Sequence, residues 1–281
     1  MEEPCACGHP PPRRAHYLPL VLSFLSRRRR ERLRERPFPD TWRAIVARHV
    51  PYVRRLSAGE RAELEGTIQV LLAEKSFEGC GGLRLQDVHR VTIAAHAALL
   101  LLGRETDYFP HLKSILIYPD EYVVEERHEL DHGIMVEGPD VYSGHTQRNL
   151  GAVVLSWRDA MEGIRDPADG QNVILHELAH QLDFEDGGDD GTPLHDDARA
   201  ARRFATVVNE EHTRLVADVQ AGRKTLLDPY GAEHPVEFFA VATEAFFELP
   251  VELRDTHPEL YAALRTYFHQ DPAAAEERRR A

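Results

Sequence analysis

Cysteine is scarce in this chain, and no apolar run is long enough to cross a membrane. The 281 residues hold three cysteines, Cys5, Cys7 and Cys80, an odd set with no spacing that would staple a fold of this size. A disulfide framework is therefore not expected, and a reducing compartment, the cytoplasm, is the expected location. The apolar stretch LPLVLSFL at residues 18–25 falls short of the roughly 20 residues that a spanning helix needs. It runs directly into RRRRERLRER with no small-residue cleavage site, which argues against a signal peptide. The segment reads as a short helix with a basic, solvated face, with attachment to anionic lipid as the alternative. No stable membrane association is expected.

Basic residues are also in deficit, with 34 Lys and Arg against 47 Asp and Glu for a net charge of −13. The deficit is uneven. Residues 1–60 hold 13 Arg and 6 acidic residues, net +7, which leaves −20 for the remainder. An acidic body disfavours direct binding of nucleic acid. What the chain does have is 42% hydrophobic and 29% charged residues, enough for a sizeable core in a soluble globular protein.

Residues 1–36 read as a Pro-rich, then Arg-rich tail, partly disordered, in which CACGH belongs to the tail rather than to a metal site. Pro37 and Pro39 end it. Apolar residues at helical spacing predict helices between Trp42 and Lys75, with Ser57 and Glu60 as a capping box, and a third over Val88–Leu102. Three strands are expected in HLKSILIYPDEYVV, GIMVEG and GAVVLSW. Helices follow near Asn172–Phe184, Asp196–Ala221, Pro235–Phe247 and Pro258–His269. No repeat or linker divides residues 37–272, so one α+β domain is expected there, followed by a charged tail over 273–281.

Two stretches fit H-E-x-x-H: HELDH at 128–132 and HELAH at 176–180. With 16 His in the chain, such a short pattern can arise by chance, so context must decide. The chemistry needs a helix, which puts residues i and i+4 on one face so that two imidazoles reach one ion while the intervening Glu faces a water. Around HELDH the only apolar side chain between Glu125 and Gly133 is Leu130, leaving no stripe for a helix to bury. It reads as a polar, metal-free connection between strands. HELAH lies beside the stripe Ile174, Leu175, Leu178 and Leu182, with Gly187 and Gly188 as the stop. His176 and His180 are the candidate ligands and Glu177 the candidate base.

A catalytic zinc takes three protein ligands. Asp186, six residues past His180, is one candidate for the third, although Asp183 occupies the position where a turn-permitting Gly would be needed. Asp183 could instead brace a ligand imidazole. The other source is a second helix, HPVEFFAVATEAFFELP, where Glu237, Glu244 and Glu248 fall on one stripe opposite an apolar face. Periodicity alone reads that stripe as solvated.

HELAHQLD, YGAEHPVEFFAVATEAFFELPVEL and the closing YFHQDP, with RRRRERLRERPFP, FEGCGGL, VTIAAHAALLLLG, LIYPDEYVV and VVLSW, resemble the MtfA (Mlc titration factor) family of bacterial zinc peptidases, which is related to the metalloprotease domain of anthrax lethal factor. The resemblance covers roughly residues 27–272. It implies a zincin-like fold of the gluzincin type, with a small mixed sheet and helical N- and C-terminal parts. It also implies one Zn2+ per chain on His176, His180 and Glu237, Glu177 as general base and Tyr230 facing the substrate carbonyl. A peptide substrate is implied, with aminopeptidase or oligopeptidase action, and a transcriptional repressor as a further partner. In such folds the strand before the active-site helix is often a sheet edge that pairs with substrate; GAVVLSW is the candidate.

Overall fold

Short runs of β-branched and aliphatic residues build the sheet on which the rest of the protein packs. The computed structural model describes residues 18–120, 122–130, 134–142, 144–147, 151–188, 190–195 and 197–280. Strands β1 (Ser76–Gly79), β2 (Ser114–Tyr118), β5 (Gly144–Gln147) and β6 (Ala152–Ser156) lie in the order β1-β2-β6-β5. The first three run parallel, and β5 is antiparallel to β6. This is a small mixed sheet. Parallel strands are usually covered on both faces, and all five residues of β6 are buried accordingly. GAVVLSW is thus an internal strand, paired on both sides, and not the expected edge. The edge beside it is β5.

Strands β3 (Tyr122–Leu130) and β4 (Ile134–Tyr142) form a separate antiparallel ribbon in which His128 stands opposite Val136. His128, Glu129 and Leu130 of HELDH are therefore strand residues rather than part of a connection, and the rest of that motif, with Gly133, lies outside the described residues. In a strand, residues i and i+4 share a face but stand about 13 Å apart, too far for two imidazoles to reach one ion.

The helices are α1 (Leu18–Arg34), α2 (Asp40–His49), α3 (Ala58–Glu74), α4 (Asp87–Leu101), α5 (Trp157–Arg165), α6 (Val173–Asp183), α7 (Ala198–Gln220), α8 (Pro235–Glu248), α9 (Pro250–Thr256), α10 (Pro258–Phe268) and α11 (Pro272–Arg280). The capping box forms as read: Ser57 Oγ accepts from Glu60 N at 3.3 Å, and Glu60 Oε2 accepts from Ser57 N at 2.7 Å. Ala-rich α4 is buried along nearly its whole length and packs against α2, α3 and α6. Together these elements make a largely helical α+β protein.

Helix α1 is the expected short helix with a basic, solvated face, Arg27, Arg28, Arg29 and Arg32 being exposed, but it is docked on the body rather than part of a tail. Gly66 of α3 admits it closely, since a Cβ there would lie 3.1 Å from Arg34 Cβ. Leu33 is buried, Arg30 pairs with Glu74 at 2.9 Å and with Asp107, and Arg34 Nη1 donates to Tyr108 Oη at 3.1 Å. Arg30 and Arg34 thus tie the helix to the body while the other arginines face solvent. At the other end, α11 lies where a charged tail was expected: Ala273 is buried, and Glu276 forms an ion pair with Arg55. Cys5, Cys7 and the rest of CACGH lie outside the described residues, and Cys80 is a half-buried thiol. Among the described residues no helix is long and apolar enough to cross a membrane.

His96 sits inside α4 with its Nδ1–H donated to the Thr92 carbonyl at 2.9 Å. Burial pushes its pKa down from 6.5 to about 4. Between those two values the unfolded chain binds a proton that the native protein refuses, so stability falls as pH drops through the window and stays lost below it. The shift corresponds to about 3 kcal/mol. Urea unfolding at pH 7 and pH 4.5 checks this: His96→Gln, which cannot titrate, is expected to lose less stability on acidification than wild type by most of that amount.

Candidate metal centre

Asn172 starts the site. It is the N-cap of α6, its Oδ1 accepting from Leu175 N at 3.2 Å. The cap sets the helix phase. Ile174, Leu175, Leu178 and Leu182 are buried, as the apolar stripe predicts, and α6 packs against α4, α8 and strands β5 and β6. On the remaining face His176 and His180 stand one turn apart, with ring centroids 4.8 Å from each other.

Helix α8 supplies the third group. Pro235 occupies its first turn, and His234 Nδ1 accepts from Val236 N at 3.3 Å. A crossing loop also fixes its start: Asp183, at the end of α6, accepts from Gly191 N at 3.1 Å, and Gly191 lies so near Pro235 O that a Cβ would come within 2.3 Å. Gly191 has φ +75°, which favours glycine as well. This ties the end of α6 to the beginning of α8. Glu237 Oε2 consequently lies 3.0 Å from His176 Nε2 and 3.4 Å from His180 Nε2.

Ligand atoms of His176, His180 and Glu237 all fall within 4.8 Å of one another. In a tetrahedral site with bonds of about 2.0–2.1 Å, ligand atoms are about 3.3 Å apart, so two of these spacings already match. The electrostatics agree. Burial would raise the Glu237 carboxyl, but hydrogen bonds from both imidazoles hold it far below the usual range. Burial would lower His176, but Glu244 and Glu237 hold it well above. Both shifts mean that positive charge is favoured where these three side chains converge. Two neutral-capable nitrogens and one carboxylate oxygen are also a donor set suited to zinc.

The stripe of Glu237, Glu244 and Glu248 is therefore not solvated. Glu244 and Glu248 are buried, because α8 is covered on both sides and its acidic face meets α6. Glu244 Oε1 accepts from His176 Nδ1–H at 2.8 Å, and Asn172 Nδ2 donates to Glu248 Oε1 at 3.0 Å. Burial, with Glu244 and Asp169 nearby, pushes Glu248 up to about 8. Sequence reading had assigned no role to Glu244 or Asn172. The usable signals were the two-turn spacing of Glu244 from Glu237 and an Asn at the N-cap position.

Glu177 is buried and lines an open cleft of about 760 Å³ beside His176. Tyr230 lies on a 3-10 turn, Pro229–Ala232, whose start is held by Asp228 Oδ1 accepting from Tyr230 N at 2.8 Å. Gln171 Nε2 donates to Asp228 Oδ2 at 2.9 Å, which joins that turn to the start of α6. The Tyr230 side chain is exposed in the same cleft, its ring centroid 5.9 Å from that of His176. Asp186 ends a 3-10 turn after α6, and its side chain lies outside the described residues.

Residues 24–269 match a family model described as glucose-regulated metallo-peptidase M90. The chain is 37% identical over 244 residues to "Uncharacterized protein slr2042" of Synechocystis, covering 87% of this chain and 89% of that protein. It is 29% identical to Mlc titration factor A of Pectobacterium atrosepticum (84% and 88% covered) and 30% identical to that of Serratia proteamaculans (84% and 89%). The chain belongs to the glucose-regulated metallo-peptidase M90 family, with the Mlc titration factors A among its relatives.

Proposed function

We propose that this protein is a zinc-dependent peptidase of the zincin-like, gluzincin type, acting as an aminopeptidase or oligopeptidase. One Zn2+ per chain is held by His176, His180 and Glu237. The observation that supports this best is the meeting of two imidazoles and a carboxylate at ligand spacing beside an open cleft. Zinc supplies Lewis acidity there, polarising a scissile carbonyl and acidifying water. Glu177 takes a proton from the attacking water and returns it to the departing amine. The Tyr230 hydroxyl donates to the oxygen on which negative charge develops. Asp159, Glu162, Asp169 and Asp228 also line the cleft, and this negative potential favours a substrate's free ammonium group, which supports the exopeptidase choice. The sparse cysteines support a cytoplasmic location.

The test is hydrolysis of amino-acid anilides and short peptides before and after chelation. Activity is expected to vanish with the metal and return on adding Zn2+, and N-acetylated substrates are expected to resist. Full activity in metal-stripped protein would rule the proposal out. A second reading, a regulatory protein that binds and sequesters a repressor, is favoured by the name Mlc titration factor A borne by relatives. Co-purification with Mlc that is unaffected by Glu177→Gln, together with no hydrolysis by wild type, would favour that reading instead.

A further inference from the structure

We infer that Glu244 is a positioning residue, a buried clamp that aims the His176 ring by joining it to the N-cap of its own helix. The inference rests on the metal-centre reading above. Glu237 and Glu244 are two turns apart on α8 and so face α6 together. One approaches His176 Nε2 at 3.0 Å, the other Nδ1 at 2.8 Å. The imidazole is therefore gripped at both nitrogens from a single helix. An ionised carboxylate only accepts, so Nδ1 keeps its proton toward Glu244, and the Nε2 proton, toward Glu237, is the one a metal would displace.

The second oxygen gives the clamp its rigidity. Glu244 Oε2 accepts from the backbone N–H of Asn172, the residue that caps α6. Ring and backbone thus share one carboxylate. The Asn172 side chain is itself held at both ends, by Leu175 N and by Glu248, so the anchor cannot swing. His180 is treated differently. Its Nδ1 is buried with no hydrogen-bond partner among the described residues, and its ring stacks on Phe184 at 6.3 Å. Packing orients His180; a charged hydrogen bond orients His176.

Glutamine at position 244 fits the space but fails the chemistry. Its amide presents one acceptor and one donor, while His176 Nδ1–H and Asn172 N–H both need acceptors. One of the two bonds must be lost. Losing a partner that orients a ligand typically weakens metal binding about 10–100-fold, and that is the expected loss of Zn2+ affinity for Glu244→Gln, read by competition with a chromogenic chelator. Glu244→Asp keeps the charge but withdraws both oxygens, and is expected to weaken zinc as well. Two further readouts separate positioning from general destabilisation. The downfield Nδ1 proton of zinc-loaded wild type is expected to disappear from the NMR spectrum of Glu244→Gln. Glu74→Gln, which breaks the ion pair with Arg30 outside the cleft, is expected to lower the melting temperature while leaving zinc affinity intact. Zinc binding by Glu244→Gln within about twofold of wild type would overturn the inference. Failure of wild type itself to bind zinc would instead overturn the metal-centre reading, and the inference with it.

Discussion

Glu177→Gln is expected to lower peptide hydrolysis by about 10²–10⁴-fold, the range over which a positioned general base accelerates such a reaction, with metal content unchanged. The side chain is buried in the wall of the cleft, and no other residue of α6 stands between His176 and His180 while facing that space. Glutamine keeps its size and its hydrogen-bonding reach but cannot take a proton. Binding and catalysis should therefore separate. Metal analysis alongside the rate is the necessary pair of measurements: loss of both would mean that the substitution disturbed the centre, and loss of neither would remove Glu177 from the mechanism.

The second large effect belongs to Glu237. Glu237→Ala leaves two neighbouring imidazoles without the carboxylate that, among the described residues, is placed between their Nε2 atoms. Removing one partner from a buried charged set costs about 3–5 kcal/mol, which corresponds to roughly 10²–10⁴ in metal affinity. Zinc and activity are expected to be lost together. Asp186→Ala, measured in the same titration, is expected to bind zinc like wild type. The reverse pattern would move the third ligand to the loop after α6.

The contrast between Glu237 and Asp186 shows where sequence reasoning stopped. His176 and His180 were legible because their helix has one buried stripe, and a 3.6-residue period names its opposite face without further information. Helix α8 is buried nearly all round, so its period says that three glutamates share a face but not what that face meets. Only the approach of α6 decides that. Glu244 was unreadable for the same reason, although its spacing was in plain view. The mixed sheet hid its order in a similar way: GAVVLSW was recognisable as a strand, but its internal place depends on β5, a four-residue strand with no hydrophobic run of its own. The Arg-rich segment was legible as a helix with a basic, solvated face, but not its docking: Arg30 pairs with Glu74 and Asp107, and α1 approaches because Gly66 leaves room on a neighbouring helix.

Diffraction at the zinc absorption edge from crystals of the full chain tests the central assignment most directly. The expected result is a single anomalous peak per chain, within about 2.0–2.2 Å of a nitrogen of His176, a nitrogen of His180 and an oxygen of Glu237. A peak held instead by Asp186, one at His128, or no peak in protein that hydrolyses peptides would contradict it.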